Sequence, residues 1–140
     1  REAGADHVVN YKAQDVVAEI RRISPAGVDR IVDVDFGGNL PVSLQILKPS
    51  AVIASYATRG ETEPKVAFRA LMQKNITIHA VLVYTMPEVA KLAGMADVTR
   101  ALADGALRPV IGAVMDLSDI AKAHAAVERG TIIGNVVLHV

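Results

Sequence analysis

A chain of 140 residues that is 51% apolar but only 4% aromatic can bury one domain's core, and that core must be built from Val, Ile, Leu and Ala. Fifteen basic residues balance fifteen acidic ones, which argues against a polyanion-binding surface and so against nucleic acid as a partner. No apolar run approaches the roughly 20 residues that span a bilayer, and the lack of cysteine rules out disulfides and thiolate-held zinc within these residues; a cytoplasmic location is expected.

The opening Arg1-Glu2-Ala3-Gly4-Ala5-Asp6 has no initiator Met and no signal-peptide pattern, and reads as the tail of a helix cut from a longer chain. His7-Val8-Val9 is short and β-prone, ending in Asn10-Tyr11. Asp15 is placed to cap a helix from Val16 to about Ile23, with Val16, Ile20 and Ile23 on one face and Ser24-Pro25-Ala26-Gly27 to stop it. Ile31 to Val34 is a β-branched run between Gly27-Val28-Asp29 and Gly37-Gly38, which predicts a parallel strand buried on both faces. Ligands of open α/β sheets sit beyond the carboxyl ends of such strands, so Asp35, Phe36, Gly37 and Gly38 fall where a cofactor would lie.

A helix near Leu40 to Leu47 follows, with Pro41 in its first turn, where a missing N–H is harmless. Ala51 to Ser55 is a second buried strand, leading into Tyr56-Ala57-Thr58-Arg59-Gly60. Beyond a polar loop from Gly60 to Pro64, a short helix around Val66 to Gln73 precedes a third strand from Ile76 to Tyr84. Strand and helix alternate, which is the rhythm of a parallel sheet. After Pro87 a long helix covers Glu88 to Ala103, with Val89, Leu92, Ala96 and Leu102 broadly on one side and Gly105 as its stop. Pro109 to Met115 is a further strand, and Leu117-Ser118-Asp119 opens a helix with Ser118 as its cap and Ile120, Ala123 and Val127 as its buried stripe. Gly130 ends that helix, and Asn135 to Val140 closes the chain as a strand. No solenoid repeat or low-complexity segment is present.

Several of these segments resemble, in order and spacing, the C-terminal part of a medium-chain dehydrogenase/reductase. They are Gly4-Ala5-Asp6-His7-Val8-Val9-Asn10-Tyr11, Gly27-Val28-Asp29, the strand ending at Gly37, Leu107-Arg108-Pro109-Val110-Ile111-Gly112, Leu117 through His124, and Gly134-Asn135-Val136-Val137-Leu138. The nearest branch by resemblance is the zinc-independent NADPH:quinone oxidoreductases. The resemblance implies an α/β fold, a partial Rossmann (doubly wound) parallel sheet with strand order 3-2-1-4-5-6 that lacks its first two strands. Residues 1–108 would form the partial dinucleotide-binding domain. Residues 109–140 would be a C-terminal strand–helix–strand segment packing on it or on a missing catalytic domain. The glycines of this chain form no G-x-G-x-x-G phosphate loop.

The same resemblance implies NADP(H) as cofactor, with no metal, and assigns contacts residue by residue. Tyr11 matches a position on the adenosine-phosphate side, the alternative being an ordinary strand-end tyrosine. Gly37 matches a loop passing close to the ribose, the alternative being a simple turn glycine. Ser55, Tyr56, Ala57 and Thr58 match the segment beside the nicotinamide, with Tyr56 standing where relatives usually have glycine. Leu82, Val83 and Tyr84 match the strand end bordering the same ring, core packing being the alternative for Val83. Asn135 takes the place of a lysine in the closing Gly-Lys pattern, keeping a donor but losing the charge. The four histidines, at 7, 79, 124 and 139, lack metal-ligand spacing, and no catalytic residue is nominated.

The expected function is that of an NAD(P)H-dependent oxidoreductase fragment, inactive alone, whose parent passes hydride to a quinone or to an activated alkene or carbonyl. The other readings are a non-catalytic nucleotide-binding or dimerisation module and a methyltransferase-like α/β domain. The long uncharged strand from Ile76 to Tyr84 is expected to pair with its copy in a homodimer.

Overall fold

The computed structural model describes residues 3–140, and the expected helix tail at Arg1-Glu2 lies outside them. Residues 3–6 form turns and bends, not helix. The chain divides into two compact units, Arg1–Leu92 and Ala93–Val140.

In the first unit, α1 (Val16–Ile23) starts where the sequence predicts: the Asp15 carboxylate accepts from the Ala18 N–H at 3.1 Å. Strand β1 (Val28–Asp33), helix α2 (Phe36–Ile46), strand β2 (Leu47–Ser55), helix α3 (Phe68–Lys74) and strand β3 (Thr77–Ala80) follow. The three strands form one parallel sheet in the order β1-β2-β3. Ile53, with no exposed surface, centres a core completed by Leu40, Leu47 and Ala51, against which Val28, Ile31, Phe36, Leu44 and Ile76 pack. Helix α2 packs on β1 and β2, and α3 on β2, through aliphatic side chains, as the composition requires.

Several details of this unit differ from the sequence reading. His7, Val8 and Val9 belong to no strand: in the order 3-2-1-4-5-6 this segment would hydrogen-bond only to strand two, and no partner for it stands among the described residues. Strand β1 is not buried on both faces, for Val32 is 76% exposed; it also ends at Asp33, one residue short of the predicted Val34, which is exposed too. Helix α2 begins at Phe36 instead of Leu40, so Gly37 and Gly38 are in its first turn and Pro41 is interior, where it removes the donor to the Gly37 carbonyl. Strand β3 covers four residues, not nine; its partner β2 ends at Ser55, opposite Ala80, and Val83–Thr85 turns into a single 3-10 turn. A strand continues only while it has a neighbour to bond.

Helix α4 (Glu88–Ala103) has the predicted length and runs through the division between the units. None of its residues is buried, and Val89 and Leu92 of the predicted inner face are exposed. In the second unit, β4 (Ile111–Asp116), α5 (Ile120–Arg129) and β5 (Asn135–His139) make a strand–helix–strand with parallel strands. Asp119, not Ser118, stands at the cap position of α5, and its carboxylate goes to Lys122. The buried stripe is Ala123 and Ala126, whereas Ile120 and Val127 are exposed. Gly130 ends α5 in the left-handed conformation, as predicted. No helix of the described residues is long and apolar enough to cross a membrane.

Lys74, at the end of α3, ties this layer together. Its ammonium donates to the carbonyls of Leu44 and Leu47 at 2.7 Å each, neutralising the carbonyl-rich end of α2. Lys74→Met is expected to lower stability by about 1–3 kcal/mol, the worth of charge-assisted bonds plus the stranded carbonyls. The shift is read from the urea midpoint; an unchanged midpoint contradicts it.

Candidate functional site

The parallel register sets Asp33, Ser55 and Ala80 level with one another, so β1, β2 and β3 end on a common line. The chain beyond each end contributes one piece of the rim: residues 34–38 entering α2, residues 56–61 after β2, and residues 81–85 after β3. Backbone bonds lace these pieces together. Tyr56 N–H donates to Asp33 O at 3.1 Å, Phe36 N–H to Ala57 O at 3.1 Å, and Val81 N–H to Ser55 O at 2.8 Å. Ser55 is buried, and its hydroxyl donates to the Ala57 carbonyl at 3.1 Å.

Five of the residues singled out from sequence meet here. Ser55, Tyr56, Ala57, Thr58 and Leu82 line one open hollow of about 380 Å³, together with Phe36, Thr62, Pro64, Ile78, Ala80 and Val81. Gly37 does not line it but a separate hollow of about 370 Å³ with Leu40, Pro41 and Glu61, and is tied to the slot's wall by its N–H, which donates to Thr58 Oγ1 at 3.3 Å. Thr58 in turn donates to the Glu61 carbonyl at 2.6 Å. A Cβ on Gly37 would overlap the Glu61 carbonyl oxygen and come within 2.8 Å of its Cβ. The close approach that demands glycine at 37 is therefore between α2 and the loop 56–61.

Val83 and Tyr84 lie in the 3-10 turn just past this hollow, both exposed. Tyr11 lines a different hollow, of about 640 Å³, with Val16, Ile31, Val32, Asp33, Val34, Asp35, Asn39, Val42, Ser43 and Ile46. Asn135 belongs to the second unit, where its backbone and side-chain N–H groups both donate to the Val110 carbonyl, at 2.7 and 3.1 Å.

Three polar residues were not assigned a role from sequence. Asp33, 3% exposed, accepts through Oδ1 from the Asp35 N–H at 3.0 Å and from Asn39 Nδ2 at 2.8 Å. Its Oδ2 is buried with no hydrogen-bond partner among the described residues. Asp35 turns the other way: Oδ1 accepts from Arg59 N–H at 2.7 Å and Gly60 N–H at 3.0 Å. The pattern Asp-x-Asp-x-x-x-Asn was visible, but its use of the backbone depends on where the loop after β2 returns. The Gly60 and Arg59 amides, outweighing partial burial, hold the Asp35 carboxyl below its ordinary value, helped by the Gly38 amide and the nearby Arg59 charge.

These features suit the ring end of a nicotinamide cofactor: a largely apolar slot at strand carboxyl ends, whose lining includes the hydroxyl-bearing Ser55, Tyr56, Thr58 and Thr62. They hold no glycine-rich cradle for its pyrophosphate. Among the described residues, no three His, Cys, Asp or Glu side chains gather in a way that could hold a metal ion.

Comparison with known proteins places this arrangement. The sequence matches the family model described as Zinc-binding dehydrogenase over residues 3–138. The chain belongs to that family, and corresponds to the C-terminal part of a medium-chain dehydrogenase/reductase. It is 28% identical over 158 residues to the synaptic vesicle membrane protein VAT-1 homolog of Homo sapiens, matching 99% of this chain and 40% of that protein. It is 31% identical over 124 residues to the quinone oxidoreductase of Sus scrofa, matching 86% of this chain and 36% of that one. Among solved structures, a 2-haloacrylate reductase superposes with a TM-score of 0.82 at 25% identity, covering 96% of this chain and 44% of that chain. The chain thus spans about two fifths of the length of these curated relatives.

Two measurements check the geometry. Gly37→Ala is expected to cost about 1–3 kcal/mol in chemical denaturation, because the obstacle is loop backbone instead of a flexible side-chain tip. Followed by NMR, the Asp35 carboxyl titrates below its ordinary 3.8. Because its folded value is the lower one, the stability it contributes is complete above the ordinary value and is lost as pH falls through the depressed one. A midpoint at or above the ordinary value contradicts the amide clamp.

Proposed function

We propose that this chain is the nicotinamide-side portion of an NADPH-dependent oxidoreductase of the quinone-reductase branch, passing hydride to a quinone or to an activated alkene or carbonyl. The observation that carries this reading is the meeting of Ser55, Tyr56, Ala57, Thr58 and Leu82 around one apolar slot at level strand ends. A slot of that kind suits a flat, weakly polar ring whose carboxamide is fixed by backbone groups. Val83 and Tyr84 border the same ring, Gly37 lies toward the ribose and Tyr11 serves the adenosine-phosphate side; Asn135, in the second unit, is given a neutral donor's role by the resemblance alone. Residues 1–108 form the dinucleotide-binding part and residues 109–140 the returning strand–helix–strand. The names of two relatives, a quinone oxidoreductase and a 2-haloacrylate reductase, support an acceptor whose double bond is polarised toward hydride. The cofactor supplies the hydride; the protein supplies position and exclusion of water. We place the reaction in the cytoplasm and assign no metal to it.

The native protein, mixed with NADPH and a simple quinone, is expected to consume NADPH in step with quinone reduction. NADPH bound but never consumed, with quinones, enones and 2-haloacrylates all tried, would favour a non-catalytic nucleotide-binding module. The 140-residue chain alone is expected to bind NADPH only weakly, for want of a pyrophosphate cradle; micromolar affinity in a titration overturns that.

Pairing of two copies through the edge from Ile76 to Tyr84 completes the proposal. Strand β3 stands at the sheet edge with all four residues exposed, and such edges recruit further strands. Sedimentation is expected to report a dimer, and Ile78→Lys to shift it toward monomer; monomer alone at high concentration sinks the idea.

A further inference from the structure

The loop that walls the slot has few anchors of its own. Residues 56–61 contain no strand or helix, and the side chains that bond from within the segment, Thr58 to the Glu61 carbonyl and Glu61 to the Glu63 N–H, reach only its own backbone or that of the next residues. What holds its far end is a single carboxylate oxygen on the opposite side of the rim. Asp35 Oδ1 accepts two consecutive loop amides, Arg59 and Gly60, at 2.7 and 3.0 Å. The other oxygen, Oδ2, is packed between two glycines. A Cβ on Gly38 would collide with it, and one on Gly60 would come within 3.0 Å. The seat therefore exists only because positions 38 and 60 lack side chains.

Asp35 also occupies the position where a helix-capping carboxylate would normally bond its own helix. It makes no such bond to α2. A residue type that gains stability from capping keeps Oδ2 against Gly38 in the first turn of α2 but directs the hydrogen bonds of Oδ1 to a loop 24 residues further along the chain. The same rim carries two parallel ties, Phe36 N–H to Ala57 O and Gly37 N–H to Thr58 Oγ1, so α2 and the loop are fastened at four consecutive loop residues.

We propose that Asp35 is a positioning residue for the cofactor slot: by clamping the amides of Arg59 and Gly60 it fixes the height of the 56–58 wall against which the nicotinamide ring lies. This rests on the function proposed above, and deepens it by assigning a residue that does not touch the ring itself. Losing the clamp leaves the fold's core intact, because neither of its two bonds involves Ile53, Leu40, Leu47 or Ala51, whose packing is between apolar side chains. It changes how well the wall is formed before the ring arrives, which is a cost to binding more than to the chemical step.

Two substitutions and two readouts test it. Asp35→Ala removes both acceptor bonds; Asp35→Asn keeps one carbonyl oxygen where Oδ1 sits, and so can retain both. In the 140-residue chain, Asp35→Ala is expected to speed amide hydrogen exchange at Arg59 and Gly60 while leaving Ile53 protected, and Asp35→Asn to restore slow exchange. In the native protein, Asp35→Ala is expected to raise the KM for NADPH about tenfold with a much smaller change in kcat, and Asp35→Asn to recover most of it. Unchanged exchange at Arg59 and Gly60 in Asp35→Ala overturns the clamp. Faster exchange with an unchanged KM overturns its role in the slot. If the unsubstituted native protein neither binds nor consumes NADPH, the proposed function has failed and the slot assignment with it. The exchange data then still decide whether the clamp exists.

Discussion

Hydrogen bonding between parallel strands is the constraint on which the rest of this structure depends. A parallel ladder pairs residues in strict register, so once β2 lies between β1 and β3 the ends of all three are fixed relative to one another. Here the register brings Asp33, Ser55 and Ala80 into line. Three unrelated loops must then leave the sheet at the same height, within hydrogen-bonding reach of each other. The aliphatic packing beneath, with Ile53 at its centre, makes that height stiff. A site made of loop backbone can be positioned well only if the strands that launch the loops cannot slide.

The polar residues at the strand ends follow from the same constraint. Where a sheet stops, its last amides and carbonyls lose their ladder partners and need others. Asp33, Ser55, Thr58 and Asp35 supply them: each bonds backbone groups of the rim. Side chains that might be read as acid–base chemistry are therefore occupied with holding loops in place. This accords with a reaction class in which a bound cofactor carries the reactive bond and the protein contributes geometry. The unpartnered Oδ2 of Asp33 stands apart from this pattern, since a buried carboxylate oxygen without a donor is costly.

How much of this was legible in the sequence depended on how local the cause was. The start of α1 at Asp15, the span of α4 from Glu88 to Ala103 and the stop at Gly130 all rest on neighbours within a turn or two, and all were read correctly. The alternation of strand and helix gave the parallel sheet in the same way. Misreadings came where a distant segment decides. Gly37-Gly38 looked like a strand-terminating turn, yet α2 runs through both, and glycine stands at 37 because the loop around Glu61 approaches too closely for any side chain there. Strand β3 stops at Ala80 because β2 stops at Ser55, a fact about pairing that no periodicity within residues 76–84 contains. The slot residues of the 55–58 segment and Leu82 were named from resemblance, while the Asp35 clamp needs the loop's return path to be seen.

The error about burial is instructive in a different way. Val32, Val34, Val89, Leu92 and Leu102 were read as inward-facing because they are apolar and correctly spaced, and the structure leaves all five exposed. Apolarity and spacing record the surroundings a sequence is suited to; exposure records what lies nearby in these 140 residues. The two disagree most at the outer edge of β1 and along α4, while at β2, flanked by strands on both sides, Ala51, Ile53 and Ser55 are buried as read. Contiguous exposed aliphatic surface is unfavourable in water by about 25 cal/mol per Å². The β1 edge and α4 are accordingly the faces where this sequence is suited to more covering than the described residues give it, and the strand-end rim, whose backbone groups are satisfied from within, is the part that stands on its own.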